Sequence, residues 1–417
     1  MTPVLAAEQT KLAALREALP AMSAGIYLNT GTAGPIPSEA ARAMREYEDV
    51  GVRLGRADVP GWMAYLERME ECRAVLTALL GAGPNEVALT HSTTDGMNVG
   101  SWAVDWRPGD RALTTNAEHP ALLGPLLAVR DAFGVELDIV DIEGGADEAL
   151  VLERIAAALT PRTRLVSLSH VLWTNGAVLP VAAIGRLAHA RGAWFLVDGA
   201  QSVGAIPVSV AEIGADFIAF AGQKWLLGPE GTGGLWASPR AIAEARQAAS
   251  GYLSYSALDL GGRGQRWASA RRFEATTFHR PSIVALARSV GWMEMFVDLD
   301  WATERAMRLA RATADRLAAI PGLTMLTPRG SMATLISFRV GGWTADELWV
   351  ELSGRVFAIT RTIAALDALR ISVGFFNSEE EIERFVAAVA EVARYTPATL
   401  PRRPAIQILP VGPGGGV

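Results

Sequence analysis

The sequence predicts an α/β fold built on a mostly parallel sheet, and three observations carry that expectation. Short apolar runs alternate with amphipathic helical stretches from about 86 to 236, the pattern of strands covered on both faces by crossover helices. Half of the 417 residues are apolar and a fifth are charged, as in a well-packed globular chain rather than a disordered one. After about 285 the texture shifts to one long helical stretch followed by weaker strands, which predicts a smaller α+β unit.

Taken in order, residues 1–25 form an arm, with apolar positions at helical spacing over 5–18. A large domain follows over 26–284. Its sheet is expected to hold seven strands, at 86–90, 111–115, 136–141, 164–169, 194–197, 216–220 and 233–236. Helices are expected at 95–104, 120–133, 148–159 and 181–191. The smaller domain over 285–395 starts with a helical stretch at 285–319. Strands then follow near 323–327, 334–340, 356–360 and 369–374, with helices near 344–353 and 378–394. The segment 396–417, TPATLPRRPAIQILPVGPGGGV, is rich in Pro and Gly and reads as an extended tail. The chain shows no internal repeat.

Composition excludes several functions. The net charge is −6 with no basic block, which argues against nucleic acid or an anionic membrane as partner. A single cysteine, Cys72, excludes an intrachain disulfide framework and a cysteine-clustered zinc site. The first twenty residues lack the basic-then-apolar order of a secretory signal. No run approaches the ~18 uninterrupted apolar residues of a membrane span. A cytoplasmic protein is expected.

Two of the 38 basic side chains are lysines, Lys11 and Lys224. Scarcity of lysine is what GC-rich coding produces. Retention is different, because only the amine readily loses its proton and attacks a carbonyl. Lys11 reads as a helix-surface residue. Lys224 stands in AGQKW, just past the strand at 216–220. Two other polar residues hold equivalent positions: His170 after 164–169, and Asp198 in VDGAQ after 194–197. In open α/β sheets ligands bind beyond the carboxyl ends of the strands. Asp198 alone would read as a turn or cap. Together with Lys224 it marks a site.

The segments VDGAQSVG and FAGQKWLLGPEGTGGLW resemble the fold-type I pyridoxal 5'-phosphate (PLP) enzymes of the class V aminotransferase family. That family includes cysteine desulfurases, cystine C–S lyases and isopenicillin N epimerase-like proteins. The resemblance runs from about Tyr27 to about Glu383. It implies a PLP cofactor bonded to Lys224, with Asp198 keeping the pyridine nitrogen protonated so that the ring accepts electrons. Gln201 matches the position that hydrogen-bonds the ring hydroxyl.

The same resemblance assigns further residues. In LTHSTTDGMN, backbone N–H groups and the hydroxyls of Thr93 and Thr94 hold the phosphate at a helix N-terminus. Read without the family, that segment is equally an ordinary cap. In AEHPALL, His119 stacks on the pyridine face and follows Glu118, as in the family's Glu-His pair. Thr277, in RRFEATT, matches a phosphate contact made across a dimer interface, which implies a homodimer with shared active sites. Arg370, in LDALRISVGFF, matches the arginine that binds the substrate carboxylate. Arg361 is a second candidate, and Asn29, in YLNTGTAGP, lines the substrate side.

Departures from the family pattern narrow the activity. The stretch RVFAITRTIAALD lacks the loop cysteine with which desulfurases take sulfur as a persulfide. Cys72 lies in a helical segment far away in sequence and reads as core packing. Where relatives carry Ser or Thr and His before the lysine, this chain has Ala221 and Gln223; the Gln223 amide remains as a phosphate contact. Trp173 replaces the family's asparagine near the ring hydroxyl, and Asn175 is the candidate to take over that contact. The segments YLNTGTAGPIP, AVDWRPGD, AEHP, SHVLW and RRFEATT are most similar to the cystine C–S lyases. The expected activity is therefore PLP-dependent β-elimination on a cysteine-derived amino acid. Epimerisation or transamination is the first alternative, and a non-catalytic PLP-fold binding module the second. No metal is expected. Trp62, Trp102 and Trp225 are further aromatic candidates for a pocket, with core packing as the ordinary role.

Overall fold

Seven strands rich in Val, Leu, Phe and Ala meet in one sheet because almost none could tolerate a wet face. In the computed structural model, which describes residues 3–247 and 249–401, the order is Val87–Thr90, Gly233–Ala237, Phe217–Ala221, Trp194–Asp198, Thr163–Ser169, Arg111–Thr115, Glu136–Val140. Gly233–Ala237 runs antiparallel to both neighbours, and every other pair is parallel. Every residue of Val87–Thr90, Trp194–Asp198, Phe217–Ala221 and Gly233–Ala237 is buried, as a sheet covered on both faces requires. The outermost strand, Glu136–Val140, is the partly exposed one. The expected seven strands all form, within a residue or so of their expected ends.

Helices Pro120–Phe133, Glu148–Ala158 and Val181–Ala190 form close to where helical periodicity places them. The expected 95–104 helix begins earlier, at Thr93, because the Ser92 side chain accepts from Asp95 N at 3.1 Å and caps it. The stretch expected as one helix over 285–319 is three elements. Helix Arg280–Trp292 passes into a π-turn, Met293–Val297, and a second helix, Leu299–Ala318, follows. The break is at Asp298, whose φ is +70° and whose carboxylate accepts from Trp301 N.

A second, antiparallel sheet has the order Leu323–Met325, Leu335–Val340, Ala368–Ser372, Arg361–Ile363. The strand expected at 356–360 is reduced to Ala358–Ile359, which pairs in parallel with Ile26–Tyr27. That pairing, and a bridge from Asn29 to Ser372, pin the N-terminal segment to the second sheet. The segment then crosses to the end of the large sheet. Gly34 N donates to Gln223 O at 2.7 Å, and a Cβ on Gly34 would stand 2.2 Å from Lys224 O. Only glycine permits that approach.

Helices Ser38–Leu54 and Val59–Leu79 pack against Arg280–Trp292. Cys72 lies wholly buried in the second, beside Met69 and Leu76 in the core that also holds Ile283 and Leu286. The Pro/Gly-rich tail, beyond residue 401, lies outside the described residues. Among the described residues no helix is long and apolar enough to cross a membrane, and no cluster of three or more His, Cys, Asp or Glu could hold a metal.

Candidate active site

The carboxyl ends of three adjacent parallel strands supply the floor of one cavity, of about 160 Å³. Ser169, Asp198 and Ala221 end their strands there, and the turn after Ala221 brings in Gln223 and Lys224. Helix Thr93–Trp102 closes one side with Ser92, Thr93 and Thr94. His119, Trp173, Gln201, Thr32 and Arg361 complete the wall.

Asp198 is buried and accepts one hydrogen bond, from Ala200 N at 2.9 Å. Burial pushes its carboxyl up from the ordinary range, and the positive charge of Lys224 opposes that. Burial lowers the Lys224 amine to about 8; Asp198 resists, while Arg370 and Arg361 add to the lowering. Each group therefore needs the other's charge, or a ligand's, to stay ionised in this medium.

Glu118 lies behind the cavity, next to Asp198 in charge if not in sequence. Its two oxygens accept from Thr115 Oγ1 at 2.6 Å, Ser169 N at 2.9 Å and Ser169 Oγ at 2.5 Å. Burial outweighs those bonds, Asp198 adds repulsion, and the carboxyl is raised to about 7. His119 caps helix Pro120–Phe133 through Nδ1, which accepts from Ala121 N at 3.0 Å. That leaves the proton on Nε2. Burial and the charges of Lys224, Arg361 and Arg370 hold this ring down to about 4, so it is neutral.

Gln201 is buried and well anchored: Nε2 donates to Gly31 O at 2.8 Å, and Oε1 accepts from Trp225 Nε1 at 2.9 Å. One amide hydrogen and one lone pair remain for a ligand. Thr93 Oγ1 and Gln223 Oε1, both on the cavity wall, are buried without a partner in the chain. Such atoms are costly unless a ligand or water completes them. An amine, a buried carboxylate and unpartnered polar atoms beside a helix N-terminus are what PLP requires. The hydroxyls of Thr93 and Thr94 and the amide N–H of Gln223 would hold its phosphate, Asp198 its ring nitrogen and Lys224 its aldehyde carbon.

The two arginines are arranged differently from the sequence expectation. Arg361 is on the cavity wall, whereas Arg370 is 1% exposed and stands behind it. Arg370 Nη1 donates to Trp173 O at 2.7 Å. Asn29 does not line the cavity; its Oδ1 accepts from Thr32 Oγ1 at 2.8 Å. Thr32, which sequence reasoning missed, is the residue that reaches the wall. Asn175 does not face the site either. Its side chain bonds to Gly144 O and Ala177 N and shapes the turn after Trp173. Of Trp62, Trp102, Trp173 and Trp225, Trp173 lines the cavity. Trp62 packs on Tyr65, Trp102 on Phe133, and Trp225 holds Gln201. His170 is buried off the wall, and its ring is lowered to about 4 by burial.

Thr277 is exposed and lies outside the cavity. It borders a surface cleft shared with Tyr47, Gly51, Arg56 and Phe278. It is tied to the site through His91, which bonds to its backbone, stacks on Phe278 at 4.5 Å and lies two residues before Thr93.

Comparison with known proteins gives the same answer as the site. A probable cysteine desulfurase of Methanothermobacter thermautotrophicus is 28% identical over 397 residues, covering 91% of this chain and 97% of that one. The solved complex of the cystine C–S lyase C-DES with its product cysteine persulfide superposes with a TM-score of 0.83, at 27% identity, covering 89% of this chain and 99% of that one. A C-DES variant with glycine covalently linked to its PLP cofactor gives 0.84, again at 27% identity, covering 90% and 98%. The model of the family described as aminotransferase class-V matches residues 26–385. With that match spanning most of its length, the chain belongs to the class V aminotransferase family and is a PLP-dependent enzyme.

Proposed function

We propose that this enzyme is a C–S lyase: it eliminates sulfur from Cβ of a cysteine-derived amino acid such as cystine, giving pyruvate, ammonia and a thiol or persulfide. The observation that carries the reading is where the chain's one cysteine lies. Cys72 is fully buried in helix Val59–Leu79, and burial pushes its thiol up to about 12. A desulfurase relay needs a thiolate that can reach the substrate sulfur. Cys72 is packed in the core, is not on the cavity wall and has its thiol raised by burial, and residues 355–367 carry no replacement. The sulfur then has to leave with the departing half of the substrate. The likeness to C-DES, a cystine C–S lyase, supports the same outcome.

When bound, PLP supplies an electron sink for negative charge at Cα. The chain's own residues do the rest. Lys224, with its amine near 8, can bond to an aldehyde and take the Cα proton at working pH. Asp198, buried and facing that charge, keeps a ring nitrogen protonated. Neutral His119 can lie against a protonated pyridine without opposing its charge. Arg361 and Arg370 hold the substrate carboxylate, which fixes the Cα–H bond relative to Lys224. With cystine, the Cα proton passes to Lys224. The Cβ–S bond then breaks, with its electron pair leaving on the persulfide sulfur, and water completes the release of pyruvate and ammonia.

We read the enzyme as a cytoplasmic homodimer, with Thr277 facing the partner's site across the exposed cleft beside helix Ser38–Leu54. Incubation with cystine tests the chemistry. Pyruvate and persulfide should appear in equal amounts. Alanine in place of pyruvate would instead indicate desulfuration, and loss of the α-hydrogen without either product would indicate epimerisation.

A further inference from the structure

Trp173 stands where three parts of the site meet. Its carbonyl accepts from Arg370 Nη1 at 2.7 Å. Its ring lies 5.6 Å from the guanidinium carbon of Arg361, within cation–π range. It meets the His119 ring edge to face, at 5.0 Å between centroids and 84° between planes. The indole N–H is buried without a partner in the chain, so the hold on these neighbours runs through the ring and the carbonyl.

The loop that carries Trp173 is fixed from behind by the second sheet. Ser337 Oγ donates to Thr174 O at 2.6 Å, and Ala333 N donates to Gly176 O at 2.9 Å. Arg361 and Arg370 come from that same sheet, directly opposite one another. Two like charges so placed repel. An electron-rich face against one guanidinium and a carbonyl on the other are what lets both remain there before a carboxylate arrives.

We propose that Trp173 is a positioning residue for carboxylate binding: its ring face holds Arg361, and its carbonyl holds Arg370, so that both guanidinium groups are in place beside His119. The proposal rests on the reading of these arginines as the carboxylate site. It is independent of which bond the enzyme later breaks.

The test uses the holoenzyme and two ligands that undergo no elimination. Glycine and glycinamide offer the same amine, and only glycine carries the carboxylate. Binding is followed by the change in visible cofactor absorbance, for wild type, Trp173→Ala and Trp173→Phe. Trp173→Ala should weaken glycine roughly tenfold and glycinamide by less than about twofold, the order expected for losing a desolvated cation–π contact. Trp173→Phe keeps a ring face and should stay within about threefold of wild type for glycine. Glycine affinity unchanged in Trp173→Ala, equal weakening of both ligands, or a Phe variant as weak as the Ala variant would each overturn the proposal. Should wild type itself not distinguish glycine from glycinamide, the carboxylate reading of the arginines fails and takes the proposal with it.

Discussion

Arg361 and Arg370 face one another across antiparallel strands, and the Thr32 hydroxyl accepts from both, at 3.3 and 3.4 Å. Burial, together with Arg361, lowers the Arg370 guanidinium to about 9. The pair is thus a concentration of like charge in a partly dry medium, which an anion would relieve. Arg361→Gln should raise or leave unchanged the melting temperature of the ligand-free enzyme, because it removes a like-charge neighbour. The same change should weaken binding of α-amino acids by roughly tenfold, the usual scale for losing a charge-assisted contact. Thermal melts and ligand titrations on one preparation check both halves. A variant that loses stability and keeps affinity would refute the assignment.

The two lysines differ in what an arginine could replace. Lys11 is not the plain surface residue expected from sequence. Its ammonium lies 4.0 Å from the centre of the Trp301 ring. Arginine makes that contact equally well, so Lys11→Arg should change the unfolding free energy by less than about 0.5 kcal/mol and leave turnover intact. Lys224→Arg should keep the fold and lose the covalent bond to PLP, since a guanidinium cannot form it. Absorbance after borohydride reduction and dialysis separates the outcomes. Cofactor retained covalently in Lys224→Arg, with normal turnover, would overturn the site.

Glu118 gives a pH prediction with a definite sign. Its folded carboxyl is raised to about 7 from an ordinary 4.5. Between those values the folded state binds the proton that the unfolded state releases. Glu118 therefore contributes stability below about pH 4.5, and that contribution is lost as pH rises through 7. The Glu118→Gln variant has no such loss. Its amide oxygen can still accept from Ser169, and the Thr115 hydroxyl can turn to accept from the amide. Urea midpoints should shift in favour of Glu118→Gln relative to wild type as pH rises from 4.5 to 7 and then level off. A difference that stays constant with pH would show that Glu118 is ionised throughout.

The seven-stranded sheet was legible because its strands are buried on both faces, so their apolar runs carry a strong local signal. Lys224 and Asp198 were legible for a related reason: each follows such a run directly, and strand ends are where this fold puts its chemistry. Helix Ser38–Leu54 was not anticipated. Its residues SEAARAMREYEDVGVRL are amphipathic and seven of the 17 are charged; the apolar stripe has small residues in place of the long aliphatic runs that mark the core, and what holds it is packing against Arg280–Trp292, distant in sequence. Thr32 escaped for the same cause. A small hydroxyl in a loop has no local signature, and it reaches the arginines only because Ile26–Tyr27 pairs with Ala358–Ile359. That Arg361 lines the cavity wall while Arg370 stands behind it was not legible, because motif position says which strand a residue is on, not which of two opposed side chains reaches the wall.

Cys72 decides between the two fates of the sulfur, and its substitution separates them without touching the cavity. The thiol is wholly buried among Tyr65, Met69 and Leu76, so Cys72→Ala removes one sulfur from packed core and should cost about 1 kcal/mol. Under the elimination reading, turnover of cystine to pyruvate should remain within about twofold of wild type, because no step uses the thiol and a small stability loss leaves most molecules folded. A relay through a persulfide would behave differently: the product would be alanine, and with the acceptor sulfur gone alanine formation would collapse while the fold survived. Cystine turnover in Cys72→Ala, measured beside its urea midpoint, distinguishes the two. A folded variant without activity would mean that Cys72 becomes accessible during catalysis, and the lyase reading would then have to be abandoned.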